Sequence, residues 1–182
     1  MRWNLDPAHS SIEFSVRHMG FATVRGRFTG FTVDVESDDE NRLSRVEAVI
    51  DPASIDTGVA DRDAHLRSAD FFDAERFPEI RFAGTTVEEV GRGRYRVSGD
   101  LSMHGSQQQA SFEVDVRDPI NDPFGNVRVA AEGSGKLNRK DWGLTWNQVL
   151  EAGAMLVGED VRFTLDVQAI AAEEAEEGAV AA

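Results

Sequence analysis

Apolar and polar residues alternate along most of this chain. In "SIEFSVR", Ile12, Phe14 and Val16 fall on one face while Ser11, Glu13, Ser15 and Arg17 fall on the other, the period-two signature of a half-buried strand. The pattern returns in "FTVDVE" (Phe31, Val33, Val35), "VEAVI" (Val46, Ala48, Ile50), "EIRFAGTTVEEV" (Ile80, Phe82, Val87) and "RYRVSGDLSMHG" (Tyr95, Val97, Leu101, Met103). It continues in "SFEVDVR" (Phe112, Val114, Val116), "NVRVAAEG" (Val127, Val129, Ala131) and "DVRFTLDVQ" (Val161, Phe163, Leu165, Val167). At least eight strands are predicted, with a bulge at Gly84. Loops are predicted at 37–41, 91–93, 104–108 and 118–126 from their Gly, Pro, Asn, Asp and Ser content. Connections this short favour antiparallel neighbours.

Two segments break the alternation. "DRDAHLRSADFFDAERFPEIRF" (61–82) crowds charges into its first half, then brings Phe71, Phe72, Phe77 and Phe82. A helix is predicted over roughly 59–69, capped by Asp56 or Thr57, with Asp61 and Asp63 at its positive end. In "LNRKDWGLTWN", Asn138 is predicted to start a short helical turn near 138–143 and Gly143 to stop it.

Two-faced antiparallel strands must bury one side. Polar outer faces on nearly every strand suit closure, which leaves no edge to protect. The predicted fold is therefore all-β: an extended antiparallel barrel of about eight strands, with one crossing helix. A barrel of that size is either filled by its own side chains or holds one small ligand. Several inward positions are small (Ala48, Ala131, and glycines 84, 99, 133 and 135), which favours a hollow. The helix would then cover one opening with its charged face outward, and Phe71, Phe72 and Phe77 would turn inward. The plainer role for these phenylalanines is core packing under a crossover.

Residues 1–170 read as one domain. Residues 171–182, "AAEEAEEGAVAA", read as an acidic, mobile tail. Hydrophobic residues make up 41% of the 182-residue chain, enough to support a core. The formal net charge is −14; the four glutamates of the tail leave about −10 on the body. That acidity disfavours nucleic acid as a partner. There is no cysteine, which excludes disulfides, thiol catalysis and zinc–cysteinate sites. No apolar run is long enough to span a membrane as a helix. The opening residues lack a signal-peptide pattern, so a cytoplasmic location is expected.

Four segments resemble the YceI-like family, in that family's order: "WNLDPAHSSIEFSVRHMGFATVRGRFTGF", "DPASIDTGVADRDAHLRSADFFDAERFPEIRF", "YRVSGDLSMHGSQQQASFEV" and "LNRKDWGLTW". The likeness spans residues 3 to 170. It implies a lipocalin-like barrel holding a polyisoprenoid or a similar long-chain lipid amide, often in a homodimer. No catalytic residues come with the resemblance. Many members are periplasmic and begin with a signal peptide, where this sequence departs.

The predicted ligand-binding residues are the inward positions Phe14, Val16, Phe31, Val33, Phe71, Phe72, Phe82, Val97, Leu101, Phe112, Val114, Val129, Phe163 and Leu165, together with Trp142 and Trp146. The two indoles sit near Arg139 and Lys140. That cluster reads either as a mouth gathering a lipid head group or as an amphipathic plug; the plug is the simpler role. His9, His18, His65 and His104 lie in separate segments without metal-ligand spacing, so no metal or other cofactor is expected. Ser10 neighbours His9 in sequence, but adjacent strand residues face opposite sides, and no G-x-S-x-G elbow is present. The predicted function is non-catalytic: binding a long apolar ligand for transport, storage or sequestration, without stable membrane insertion. The alternatives are an enzyme or accessory factor acting on the bound chain, and a filled barrel serving as an interaction scaffold.

Overall fold

The computed structural model describes residues 1–151 and 153–172; the predicted acidic tail lies almost wholly outside them. Among the described residues there are twelve strands: β1 (Arg2–Leu5), β2 (Ser11–His18), β3 (Ala22–Phe28), β4 (Phe31–Ser37), β5 (Leu43–Ile50), β6 (Ile55–Asp56), β7 (Ile80–Gly91), β8 (Arg94–Met103), β9 (Ser106–Val116), β10 (Ile120–Asn121), β11 (Val127–Asn138) and β12 (Val157–Ala171). One α-helix among the described residues, α1 (Ala60–Arg67), joins β6 to the loop before β7.

These strands build a closed antiparallel barrel with eight wall positions. β11, β9, β8, β7, β5, β4, β1 and β12 follow one another by hydrogen bonding, and β12 pairs back onto β11. Three wall positions are each made of two short strands in line. β1 and β2 both pair with β12 on the same side. β4 pairs with β1, and β3 pairs with β2. β5 pairs with β4, and β6 with β3. The breaks fall beside one another, at Asp6–Ser10, Thr29–Gly30 and Asp51–Ser54, so the wall bends as a unit there.

Local chemistry sets those breaks. Asp6 and Asp51 each precede a proline and cap a short 3-10 turn, accepting from Ala8 N at 3.2 Å and Ala53 N at 2.8 Å. Proline cannot donate to a ladder but fits the first position of a helical turn. Gly30 lies against the second of these turns: a Cβ there would sit 3.2 Å from Ser54 Cβ and 3.4 Å from Asp51 Cβ.

The Asp6 break is also anchored electrostatically. Arg128 donates to Asp6 through one Nη and reaches Asp122 through the other at 3.4 Å. The His9 ring nitrogen Nδ1 lies 2.9 Å from the Asp6 carboxylate. The bond from Arg128, then that from His9, hold Asp6 down to about 2, against a usual 3.8. A carboxylate whose native pKa is depressed contributes stability above the unfolded value and loses it as pH falls through the native value. Asp6→Asn is therefore expected to be less stable than wild type near pH 6, with the gap narrowing between pH 4 and 2. Urea unfolding at several pH values measures this; a pH-independent gap would contradict it.

The bulge expected at Gly84 is present, with the β7–β8 register shifting between Gly84 and Thr86. Two wall glycines have a second role. Gly26 faces Phe14 and Gly135 faces Phe163 in register. A Cβ on Gly135 would lie 2.4 Å from the Phe163 ring, and one on Gly26 would lie 2.5 Å from the Phe14 ring. The missing side chains let both rings lie against the wall.

The helix and the helical turn differ in how well they match expectation. α1 occurs where predicted, but neither Asp56 nor Thr57 caps it. Val59 is the cap position and makes no side-chain bond. Asp56 instead pairs with Arg27 and accepts from Gly58 N at 2.9 Å. Asp63, expected outward, is buried and reaches back to Thr57, accepting from its N at 2.9 Å and its hydroxyl at 2.5 Å. The 3-10 turn Arg139–Trp142 follows the prediction: Asn138 accepts from Lys140 N at 3.0 Å, and Gly143 closes the turn at φ 77°.

Candidate ligand-binding cavity

The inward side chains touch along the wall, Phe82 with Phe112 at 5.2 Å and Phe112 with Phe163 at 5.8 Å, but do not fill the space between the walls. They enclose a cavity of about 300 Å³ that is lined almost entirely by apolar side chains, so the filled-barrel alternative does not hold.

One end of the cavity is sealed. The 3-10 turn Arg139–Trp142 sits beneath it, with Trp142 2% and Leu144 4% exposed. The Trp142 indole donates to Leu101 O at 2.8 Å, fixing the turn to β8. Leu66 of α1, Phe71 and Phe72 complete this floor. Phe72 meets Phe28 edge-on at 5.9 Å, and Phe71 lies 5.2 Å from Trp146. The other end is different. The lining residues Asn41, Arg117 and Pro119 are all exposed, and they belong to loops that join strands at that end. This is the mouth. Trp3 of β1 lines the cavity, and its indole donates at 3.0 Å to the hydroxyl of Ser37, the last residue of β4 at the mouth end.

Of the residues read from sequence, Phe14, Val16, Val33, Phe71, Phe72, Phe82, Leu101, Phe112, Val114, Val129, Trp142, Phe163 and Leu165 line the cavity. Phe31, Val97 and Trp146 do not. Phe31 is the first residue of β4, beside the Gly30 break, where the wall turns away. Val97 is on the inward face of β8 but is 0% exposed, enclosed by the packed core. Trp146 stands outside the floor, edge-on to His65 at 4.6 Å. Phe77, expected inward, packs on the outside of the β8–β9 turn, with its ring 5.2 Å from His104 and against Gly105.

Sequence reading passed over Trp3, Phe28, Ile55 and Leu66, all of which line the cavity. Trp3 and Ile55 lie on β1 and β6, too brief to show a period, and Phe28 lies on β3, where Gly26 interrupts the apolar face. Ile12, Ile80 and Met103 also line it; each shares its strand's alternation with a residue that was selected, so the signal was present.

The histidines do not converge. His65 Nε2 is 2.8 Å from Asp70, His104 Nδ1 is 3.2 Å from Trp142 O, and His9 is held at Asp6. Among the described residues no three His, Cys, Asp or Glu side chains are placed to hold a metal. Lys140 points away from the cavity and pairs with Glu159 at 2.5 Å. The Arg139–Trp142 segment thus closes the barrel in the manner of a plug.

A YceI-like domain model matches residues 3–169. The chain belongs to the YceI-like family. It is 35% identical over 163 residues to a UPF0312 protein of Staphylococcus aureus, covering 88% of this chain and 92% of that one. A UPF0312 protein of Vibrio parahaemolyticus is 38% identical over 136 residues, 74% of this chain and 72% of the other. Among solved YceI-like folds, BcnA of Burkholderia cenocepacia superimposes with a TM-score of 0.78 at 19% identity, over 91% of this chain and 99% of that one. A polyisoprenoid-binding domain from Saccharophagus degradans gives a TM-score of 0.70 at 16% identity, over 93% and 98%. These two likenesses establish a shared barrel. Among the described residues of this YceI-like chain, no helix is long and apolar enough to cross a membrane.

Proposed function

We propose that this YceI-like barrel is a non-catalytic carrier that holds one long apolar chain, of polyisoprenoid type, for transport, storage or sequestration. The observation that carries the reading is the apolar cavity, sealed at the Trp142 end and open at Asn41, Arg117 and Pro119. The Saccharophagus degradans neighbour, described as polyisoprenoid-binding, supports the choice of ligand class.

The energetics suit such a ligand. Burying each methylene contributes about 0.8 kcal/mol, and the cost of ordering the chain offsets part of that. The gross gain therefore rises with chain length, and a wall that is apolar along most of its length discriminates the chain mainly by length and width. An enzyme acting on the bound chain would need a polar group beside it. Of His18, His65 and Arg139, only Arg139 is part of the cavity lining, and it is a cation held by backbone carbonyls.

Titrating delipidated protein with prenyl alcohols of increasing length, read by tryptophan fluorescence, tests the reading. Affinity is expected to rise with each isoprene unit until the cavity is full and then to level off. Absence of uptake at every length would overturn it.

A further inference from the structure

The sealed end of the apolar cavity contains a cation. Arg139 is 6% exposed and contributes to the cavity lining. Its guanidinium donates to three backbone carbonyls: Nε to Gly158 O at 2.8 Å, one Nη to Leu144 O at 2.5 Å, and the other to Val157 O at 3.4 Å. An arginine carries five N–H donors, so two take no protein partner among the described residues. No carboxylate among those residues lies within ion-pair distance of it. The nearby Glu159 is engaged by Lys140 at 2.5 Å.

Carbonyl dipoles stabilise a guanidinium only in part. A buried charge without a counter-ion is strongly disfavoured. Burial accordingly lowers the Arg139 pKa from its usual value, with Glu159 opposing. Packing alone does not require this residue type: the neighbouring floor residues Trp142, Leu144 and Leu66 seal the end with apolar contacts. A cation at the end of a greasy channel is, however, suited to receive a negatively charged oxygen.

We propose that Arg139 is the receptor for the head group of an amphiphile that enters head-first, the head carrying a carboxylate or phosphate-ester oxygen and the tail filling the barrel behind it. The proposal rests on the carrier reading above and specifies the ligand's polar end. Electrostatics favour the sealed end over the mouth as the discriminating site. Asn41 and Arg117 are exposed to water, where a charged contact is weak; the same contact at Arg139 acts in a low-dielectric surrounding. A small free anion would gain the charge contact but none of the tail burial, so acetate alone is expected to bind poorly.

The test compares hexadecanoic acid, hexadecyl phosphate, hexadecanol and acetate as ligands of delipidated wild-type protein, Arg139→Met and Arg139→Lys. Wild type is expected to prefer the acid and the phosphate over the alcohol by at least about tenfold. Arg139→Met should retain the alcohol and lose the preference; Arg139→Lys should keep part of it. Orientation is read separately. With Trp3 and Trp146 replaced by Phe, Trp142 is the remaining indole, and it should be quenched more by 2-bromohexadecanoic acid than by the chain brominated at its far end. Equal wild-type affinity for acid and alcohol, or stronger quenching by the terminal bromine, would overturn head-first binding while leaving the carrier intact. Binding of none of the three chains would remove both readings. If Arg139→Met does not fold, the wild-type preference and the bromine positions still decide the matter.

Discussion

Ala131→Trp is expected to abolish uptake of a long apolar chain while leaving the barrel folded. Ala131 lies on β11 with Val129 and Gly133 on the same face, and all three line the cavity. An indole projecting from this position enters space that no protein atom occupies, so it need not push the wall apart. It would occupy volume that the ligand requires. Filling a void with apolar atoms can even add contact, so stability should change by no more than about 1 kcal/mol. Binding should fall by two orders of magnitude or more, because the chain can no longer pass the obstruction and loses the burial of every methylene beyond it. The measurement pairs ligand titration with a thermal melt. Unchanged affinity would show that the ligand lies elsewhere; a collapsed melting temperature would show that the position is already packed.

The second large effect concerns the wall itself. Gly99 of β8 stands opposite Gly84 of β7. A Cβ on Gly99 would lie 2.2 Å from Ala83 O and 2.8 Å from Gly84 Cα. Both obstacles are backbone, so relief requires the two strands to separate beside the bulge that curves the barrel. Overpacking of this kind costs roughly 3 kcal/mol at the upper end of its usual range. For a chain of this size that corresponds to a fall in Tm of about 6–12 °C. Gly135→Ala is the informative control. Its 2.4 Å contact is with the far end of the Phe163 ring, which can swing into the open cavity. It should therefore lose less stability than Gly99→Ala and should lose some binding as well. Equal thermal loss in the two variants would contradict the distinction between backbone and side-chain obstruction.

Ala131, Gly99 and Gly135 all lie on alternating strands, and that is where the sequence was most legible. The eight alternating segments correspond to β2, β4, β5, β7, β8, β9, β11 and β12, one for each wall position. Alternation reports which face a residue takes, and ten inward choices made from it, Phe14 and Leu165 among them, do line the cavity. It does not report where a wall bends. β1 is four residues and β6 two, and β3 carries Gly26 where the pattern calls for an apolar side chain, because the Phe14 ring lies over that position. Trp3, Phe28 and Ile55 went unread for this reason.

In irregular segments parity has no meaning. Phe71 and Phe77 looked equivalent on paper, as did Trp142 and Trp146. Only the fold separates them: Phe71 lines the cavity while Phe77 packs on His104, and Trp142 is buried in the floor while Trp146 stands beside His65. Asp63 is a related case. Charge at the start of a helix pointed to solvent, but two Thr57 donors make burial favourable.

Carriage by this barrel requires an enclosed apolar space that a long chain can fill. Native mass spectrometry of the protein isolated from its own host tests this most directly. The expected result is a discrete added mass matching one long-chain lipid per barrel, lost on delipidation and restored when polyprenyl chains are supplied. A spectrum holding only the bare polypeptide, unchanged after those chains are added, would contradict it.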